Sequence, residues 1–374
     1  MMDQPIDQTL SSTQPVYTAP QAASVDNSLE AELAELRSKL ETAQIPDELK
    51  YQVQKDLMRL ERTSQSTGYD EKYERLSKYL DWIVNLPWNS KSADILDLEK
   101  TKAIFEKHHY GMQEVKDRFL EYVAVLKMRS QTQENPYVKA PILLLVGLVG
   151  TGKTTFAYSL AEALGRKIIR IPFGGMGSAR DLRGQSRLHL EAEPGYVIKG
   201  LRQAGTRNPV ILLDEIDRVA EEARNDIMGV LVELLDPGQN YAFTDHYIDY
   251  PFNLSECIFL ATANNTRNIA TAVYDRLEQI SMPSYTDEQK TVIAQKYVLP
   301  QLLEEAGLTP QQFVIQDPAL WERMVRPLGY DAGIRTLQRT LQGAVRKAAR
   351  EIIEKQVPQV VITEQNIKQF LPQY

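Results

Sequence analysis

Hydrophobic residues near the start of the chain recur at helical spacing. The first 27 residues are rich in Gln, Ser, Thr and Pro and contain neither Lys nor Arg, which predicts a disordered tail. Two sets of apolar residues then recur every three or four positions, with a break at 45–47 between them. They are Leu29, Leu33, Leu36 and Leu40, followed by Leu49, Val53, Leu57 and Leu60. These patterns predict a helical hairpin or short coiled coil, and burial of both faces within their own domain explains them equally well.

Farther along the chain the pattern becomes an alternation of helices and strands. Helices are predicted at 69–86, 97–107 and 112–129, and a polar linker at 131–139. Five short apolar runs follow, with helical stretches between them, at 142–146, 167–171, 210–213, 257–261 and 278–282. This alternation predicts an α/β domain whose parallel sheet is covered by helices on both faces.

The end of the chain is predicted to form a small, mostly helical second domain. Thr286 to Gln289 has the form of a capping box, and Asp317 before Pro318 has the form of a helix start. A long helix is predicted at 333–355. The predicted organisation is a tail, a helical stalk, a large α/β domain and a small helical domain, at 1–27, 28–108, 109–285 and 286–374.

Composition and charge narrow the classes of protein that remain. The 374 residues include 43 Lys and Arg against 50 Asp and Glu, so the net charge of −7 argues against a protein that coats nucleic acid. The single cysteine, Cys257, excludes an intrachain disulfide. No apolar run approaches the roughly 20 residues of a membrane helix, and the N-terminus does not resemble a signal peptide. We therefore expect a cytoplasmic protein that contacts neither membrane nor nucleic acid.

The strongest motif lies directly after the first predicted strand. The segment 147–154 matches G-x4-G-K-[ST], with a buried strand before it and a helix after it. The nine residues expected to contact the phosphates of ATP are Gly147, Leu148, Val149, Gly150, Thr151, Gly152, Lys153, Thr154 and Thr155. In this interpretation Lys153 reaches the β- and γ-phosphates, and the Thr154 hydroxyl binds Mg²⁺. The alternative is a glycine turn that happens to precede a lysine.

Polar side chains at the ends of two other predicted strands complete this pattern. Asp214 and Glu215 follow the strand at 210–213, and Asn264 ends the strand that begins at Cys257. In parallel sheets, ligands bind at the carboxyl ends of the strands. We expect Asp214 to hold Mg²⁺ and Glu215 to activate the attacking water, while Asn264 helps to hold that water. An asparagine that merely closes a turn is the alternative for Asn264.

From about Leu29 to its end, the chain resembles the Lon ATP-dependent proteases, which are AAA+ ATPases. The resemblance rests on segments that occur in the same order in the family, including YLDWIVNLPWN at 79–89, LLDEIDRV at 212–219, FLATAN at 259–264 and DAGIRTLQR at 331–339. It implies a five-stranded AAA+ domain followed by a helical lid. It also implies that Arg276 is an arginine finger that reaches a neighbouring subunit of a homo-oligomeric ring, most simply a hexamer. Arg335 then corresponds to the second sensor, and Tyr110 and Gly111 to nucleotide-binding positions. A surface salt bridge is the alternative for both arginines.

The sequence departs from the family in three respects. It lacks the segment of the Ser–Lys peptidase and most of the N-terminal domain, and His189 and Glu191 replace residues that grip a polypeptide in the pore loop. We therefore expect an ATPase without peptidase activity that remodels proteins, as an unfoldase or chaperone or as the partner of a separate peptidase chain. The alternative is an ATP-switched assembly or scaffold protein that threads no substrate. A nucleic-acid loader is disfavoured by the acidic balance of charge.

Overall fold

The computed structural model describes residues 23–62, 69–131, 140–189, 191–326 and 333–372. Contacts within the chain form two compact units that divide between Val84 and Asn85, and each is described separately. The first helix begins at Ala23, within the predicted tail at 1–27, and the tail stays a prediction. Residues 1–22 and most of the predicted linker, 132–139, lie outside the described residues. The other predicted domain boundaries stay predictions.

The first unit contains three helices that contact one another, α1 (Ala23–Thr42), α2 (Asp47–Arg62) and α3 (Tyr69–Val84). The described side chains of both predicted apolar faces are buried here, with Leu36 and Leu40 on α1 at 1–2% exposure and Leu49 and Val53 on α2 at 0%. The side chain of Leu29 lies outside the described ones. Because α3 packs against both other helices, these faces are covered within their own unit. This outcome confirms the interpretation of burial within one domain.

The second unit contains the sheet and the remaining helices. Its strands are β1 (Ile142–Val146), β2 (Ile168–Pro172), β3 (Val210–Asp214), β4 (Phe243–Thr244), β5 (Pro251–Phe252), β6 (Ile258–Ala263), β7 (Leu277–Ser281), β8 (Phe313–Ile315) and β9 (Val360–Ile362). Its helices are α4 (Leu98–His108), α5 (Gln113–Ser130), α6 (Lys153–Leu164), α7 (Arg180–Arg183), α8 (Tyr196–Ala204), α9 (Arg224–Leu234), α10 (Thr271–Tyr274), α11 (Asp287–Ile293), α12 (Leu299–Glu305), α13 (Leu320–Val325), α14 (Arg335–Lys355) and α15 (Ile367–Phe370). No helix in the described parts of the chain is long and apolar enough to cross a membrane.

The main sheet has five parallel strands in the order β2-β3-β6-β1-β7. The prediction of a five-stranded parallel sheet is confirmed, and the strand ends differ from the predicted ones by at most two residues. Strands β3 and β6 are buried along their whole length, as expected for central strands covered on both faces. Because β6 lies between β1 and β3, the segments that follow these three strands meet at one edge of the sheet. This edge positions the candidate site.

The N-termini of α11 and α13 test the two helix-capping predictions that were made for the C-terminal part of the chain. The Thr286 hydroxyl accepts from the Gln289 N–H and the Gln289 side chain accepts from the Thr286 N–H, which confirms the capping box of α11. Asp317 Oδ1 accepts from the N–H of Ala319 at 2.8 Å, which is the contact expected of a cap residue before Pro318. The regular helix α13 nevertheless begins only at Leu320. Strands β8 and β9 form a separate parallel pair that the sequence analysis did not predict.

Candidate nucleotide-binding site

The loop between β1 and α6 has the backbone geometry of an anion cradle. Gly150 and Gly152 have φ values of 83° and 94°, a conformation that costs glycine little and other residues more. Gly152 is also the N-cap of α6, and no side chain caps that end of the helix. The first N–H groups of α6 are therefore available to a ligand, and the positive end of the helix dipole favours an anion.

Lys153 is held beneath this loop by three oxygen atoms. Its Nζ donates to the carbonyls of Gly147 and Leu148 at 2.6 and 2.9 Å, and to Asn264 Oδ1 at 3.1 Å. The residue is only 7% exposed, and burial lowers the pKa of its ammonium group while nearby carboxylates, first that of Asp217, oppose the shift. The ammonium group is thus partly desolvated and close to the cradle, which suits an exchange of carbonyl partners for phosphate oxygens.

Asp214 ends β3 and lies among two hydroxyls and a cation. Its Oδ1 accepts from Thr262 Oγ1 at 2.5 Å and lies 3.4 Å from Thr154 Oγ1. Its Oδ2 contacts the guanidinium of Arg170, with Nε at 2.7 Å and Nη2 at 2.6 Å. Thr262 and Arg170 are two site residues that the sequence analysis missed. The available signal was that Arg170 is the only charged residue within β2.

Glu215 adopts a left-handed backbone conformation with φ of 58°. Non-glycine residues in this region cost of order 1 kcal/mol or more and occur often at functional sites. The Glu215 N–H donates to Thr262 Oγ1 at 2.9 Å, so one threonine links the backbone of Glu215 to the carboxylate of Asp214. The Glu215 carboxylate faces Arg218, with Oε2 3.3 Å from Nη1. This turn directs the carboxylate into the cleft described next.

One cleft of about 350 Å³ brings the predicted chemistry together. Its lining comprises Val149, Gly150, Gly152, Lys153, Thr154, Thr155, Arg170, Asp214, Glu215, Arg218, Asn264, Ile334, Arg335 and Gln338. The start of α14 closes one side, because the Ile334 N–H donates to the Gly150 carbonyl at 3.1 Å. At Gly333, a Cβ atom would lie 2.5 Å from the Val149 carbonyl, so glycine permits this close approach. Sequence reasoning missed Ile334, Gln338 and Arg218 as lining residues.

Asn264 provides a test of whether this cleft fits a nucleotide. Its Oδ1 accepts from Lys153, but its Nδ2 is buried and has no hydrogen-bond partner. Buried donors without a partner are rare in proteins and call for an explanation. A phosphate oxygen or a water held beside one supplies that partner. The glycine cradle, the desolvated lysine and this unpaired donor together fit a polyphosphate.

Two oxygen atoms in the cleft are suitable ligands for a Mg²⁺ ion that is bound together with a nucleotide. Among the described residues, no group of three His, Cys, Asp or Glu side chains is placed to hold a metal ion. Thr154 Oγ1 and Asp214 Oδ1 nevertheless lie side by side below the cradle. Mg²⁺ usually takes one or two protein oxygens together with phosphates and waters, so this small donor set is suitable.

Six predicted residues lie outside the lining of the cleft. Three of them, Gly147, Leu148 and Thr151, belong to the loop between β1 and α6 itself. The other three, Arg276, Tyr110 and Gly111, lie apart from that loop. Arg276 donates to Asp236 Oδ2 at 3.0 Å and to the Ala272 carbonyl at 2.6 Å. Tyr110 packs against the apolar core. A Cβ atom at Gly111 would lie 3.1 Å from the side chain of Gln289, which places this glycine at α11. The structure does not bring these residues to the cleft of the same chain, and their predicted roles stay predictions.

The fold and the site define a P-loop ATPase module, and comparison with known families agrees. Residues 143–285 match the family model of the ATPases associated with various cellular activities (AAA). Residues 304–361 match the model of the Lon protease AAA+ ATPase lid domain. The chain therefore belongs to the Lon family of AAA+ ATPases, of which it carries the ATPase and lid domains.

Curated relatives support this assignment and show its extent. The chain is 44% identical over 348 residues to Lon protease 2 of Thermus thermophilus, in a match that covers 91% of this chain and 43% of the relative. It is 43% identical over 342 residues to Lon protease of Lawsonia intracellularis, with 91% and 40% covered. It is 38% identical over 340 residues to Lon protease 1 of Bacillus subtilis, with 91% and 43% covered. The chain thus spans about two fifths of the length of these relatives.

Proposed function

We propose that this protein hydrolyses Mg²⁺-bound ATP and uses the energy to remodel other proteins. The observation that carries the first half is the convergence of Lys153, Thr154, Asp214, Glu215 and Asn264 on one cleft beside a glycine cradle. Each of these side chains has a chemical role in phosphoryl transfer. A purely structural role would not explain why all five lie in the same cleft.

The roles follow from the contacts of each side chain. Lys153 Nζ exchanges the Gly147 and Leu148 carbonyls for phosphate oxygens. Thr154 Oγ1 and Asp214 Oδ1 would hold the cation, which would neutralise charge on the phosphates. Glu215 accepts a proton from the attacking water. Asn264 Nδ2 donates to that water or to the terminal phosphate, which gives its unpaired donor a partner.

A second copy of the chain completes the site in this proposal. Arg276 lies outside the cleft of its own chain, with its guanidinium partly exposed beside Asp236. This position supports the expectation that Arg276 contacts the nucleotide of the neighbouring subunit in a homo-oligomeric ring. We propose that the ring is a hexamer. Arg335, at the start of α14, contacts the bound nucleotide and so couples nucleotide binding to the position of the lid domain.

The loop that comprises 184–189 and 191–195, called here the exposed loop, supports protein as the substrate. Leu188 at its tip is 85% exposed, the highest value among the large hydrophobic residues described. In this proposal Leu188 offers an apolar side chain that a polypeptide can cover, and burial of apolar area stabilises that contact. His189 lies beside it in place of a larger aromatic residue, so we expect weak grip and slow unfolding. We propose that these 374 residues cleave no peptide bonds by themselves.

The test mixes two inactive variants. Arg276→Ala lacks the finger and Glu215→Gln lacks the base, so mixed rings restore complete sites only if the finger acts between subunits. We expect each variant to assemble and to lack phosphate release, and mixtures to recover part of it. No recovery at any ratio, with assembly verified by sedimentation, would refute the shared site.

A folded, tagged fluorescent reporter tests the remodelling. ATP-dependent loss of its fluorescence supports an unfoldase. ATP-dependent assembly without any loss of fluorescence would support the scaffold alternative instead. ATP-dependent degradation of casein by the purified chain would show that it is itself a peptidase.

A further inference from the structure

The two ends of the exposed loop meet at a closed neck. The Gln185 N–H donates to the Glu193 carbonyl at 3.1 Å. At Gly195, a Cβ atom would lie 2.0 Å from the Leu182 carbonyl oxygen, so the backbone at both ends is in direct contact. A loop with such a neck can present its tip at a fixed position, provided that something holds the neck shut.

Asp245, which follows β4, lies under this neck. It is fully buried. Its Oδ2 accepts from the Gly195 N–H at 2.8 Å, and its Oδ1 accepts from the N–H groups of Tyr247 and Ile248 at 2.8 and 3.2 Å. At Gly184, where φ is 72°, a Cβ atom would lie 2.8–2.9 Å from both carboxylate oxygens. One carboxylate therefore touches both ends of the loop.

Backbone groups, rather than a cation, balance the charge of Asp245. The cations on the packed elements have other partners, since Arg183 pairs with Glu233 and Lys199 pairs with Glu193. Gly195 is the N-cap of α8, so the positive end of that helix faces the carboxylate. Burial raises the pKa of Asp245 to about 6, and the three N–H groups and His246 oppose the shift. A buried charge held in this way is costly, which argues for a role that an apolar residue could not fill.

We propose that Asp245 is a positioning residue that clamps the neck of the exposed loop and so sets where Leu188 and His189 meet a protein substrate. The clamp is a local property of the chain. Its consequence for substrate rests on the proposed function.

Asp245→Asn tests the clamp, because it keeps the shape of the side chain. One amide oxygen can still accept from Tyr247 and Ile248, but the amide NH₂ then faces the Gly195 N–H, donor against donor. Loss of a charge-assisted hydrogen bond predicts hydrogen exchange of peptides covering 184–195 that is faster by roughly 10- to 100-fold. Asp249→Asn is the matched control, since Asp249 is exposed in the same segment and its φ of 52° suits asparagine.

The result that overturns the clamp is equal exchange at 184–195 in folded Asp245→Asn and in the control. If Asp245→Asn does not fold, the same exchange is followed in the wild-type chain from pH 8 to pH 5, corrected for the intrinsic pH dependence. Because burial raises the pKa of Asp245 to about 6, any opening that exposes the carboxyl to water must release its proton below that pH. The corrected exchange at 184–195 should therefore slow as the pH falls through about 6, and unchanged protection throughout would overturn the clamp equally.

ATPase kinetics separate the clamp from the proposed function. Asp245 lies outside the nucleotide cleft, so basal turnover should remain unchanged in Asp245→Asn. The concentration of unfolded substrate protein needed for half-maximal stimulation should rise at least several-fold, which a purely structural role would not produce. Faster loop exchange with an unchanged response to substrate would leave the clamp standing and refute the exposed loop as the substrate contact.

Discussion

Replacing Lys153 by methionine should weaken nucleotide binding without unfolding the protein. In the free protein the ammonium group donates to three oxygens, so binding exchanges these contacts for bonds to phosphate. Hydrogen bonds to charged groups contribute about 1.5–3 kcal/mol each, and the contacts given up offset part of one or two new ones. We therefore expect a net loss of about 2–3 kcal/mol, or about 30- to 150-fold in Kd.

Calorimetric titration with Mg²⁺ and a non-hydrolysable ATP analogue measures this loss. Lys102→Met is the matched control, because Lys102 is an exposed lysine on α4 outside the cleft. Methionine also removes the cost of burying the ammonium group, so the melting temperature without nucleotide should change little. A Kd for Lys153→Met within threefold of the control, with the fold intact, would refute the assignment of this loop as the phosphate site.

Three further predictions concern catalysis, stability and pH. Glu215→Gln should retain nucleotide affinity while phosphate release falls by roughly 10²- to 10⁴-fold, and wild-type turnover would assign the base elsewhere. Arg166→Met should lower the free energy of unfolding by about 3–5 kcal/mol in denaturant titrations, since the buried guanidinium binds Asp94 and two carbonyls; a loss below 1 kcal/mol would contradict this. The pKa of Asp245 is raised from its ordinary value of 3.8 to about 6, so folding favours the protonated form and this stability is lost as pH rises through 6. Wild type should therefore gain up to about 3 kcal/mol relative to Asp245→Asn between pH 7.5 and pH 4, and an equal difference at both pH values would contradict the shift.

The sheet and the core of the site could be predicted because their signals are local. Each strand is a short apolar run, and the polar residues that follow β1, β3 and β6 meet at one edge for any parallel arrangement of these strands. Asn264 lies between the other two motifs because β6 lies between β1 and β3 in the sheet. At Asp317 the local pattern located the capping contact with the Ala319 N–H, but it did not locate the residue at which the regular helix α13 begins.

The remaining site residues could not be found from local patterns, because tertiary contacts create their roles. Arg170 lies on the exposed side of β2, which alternation indicates. Its contact with Asp214 depends on the register that pairs β2 with β3, from Ile168 beside Val210 to Pro172 beside Asp214. Likewise, Ile334 and Gln338 line the cleft only because Gly333 lets α14 approach the phosphate loop. These residues are distant in sequence from the motifs that they complete.

Arg276 shows how two interpretations of one side chain can both hold. The structure has the salt bridge that the sequence analysis gave as the alternative, and the Gly238 N–H and Arg276 together lower the pKa of Asp236. Both side chains are about 30% exposed, and ion pairs of this kind contribute only about 0–1 kcal/mol. In the proposed ring, a terminal phosphate in the neighbouring subunit would carry more charge than Asp236 and would compete with it for the same guanidinium. The weak salt bridge is therefore compatible with the proposed role of Arg276 at the nucleotide of a neighbouring subunit.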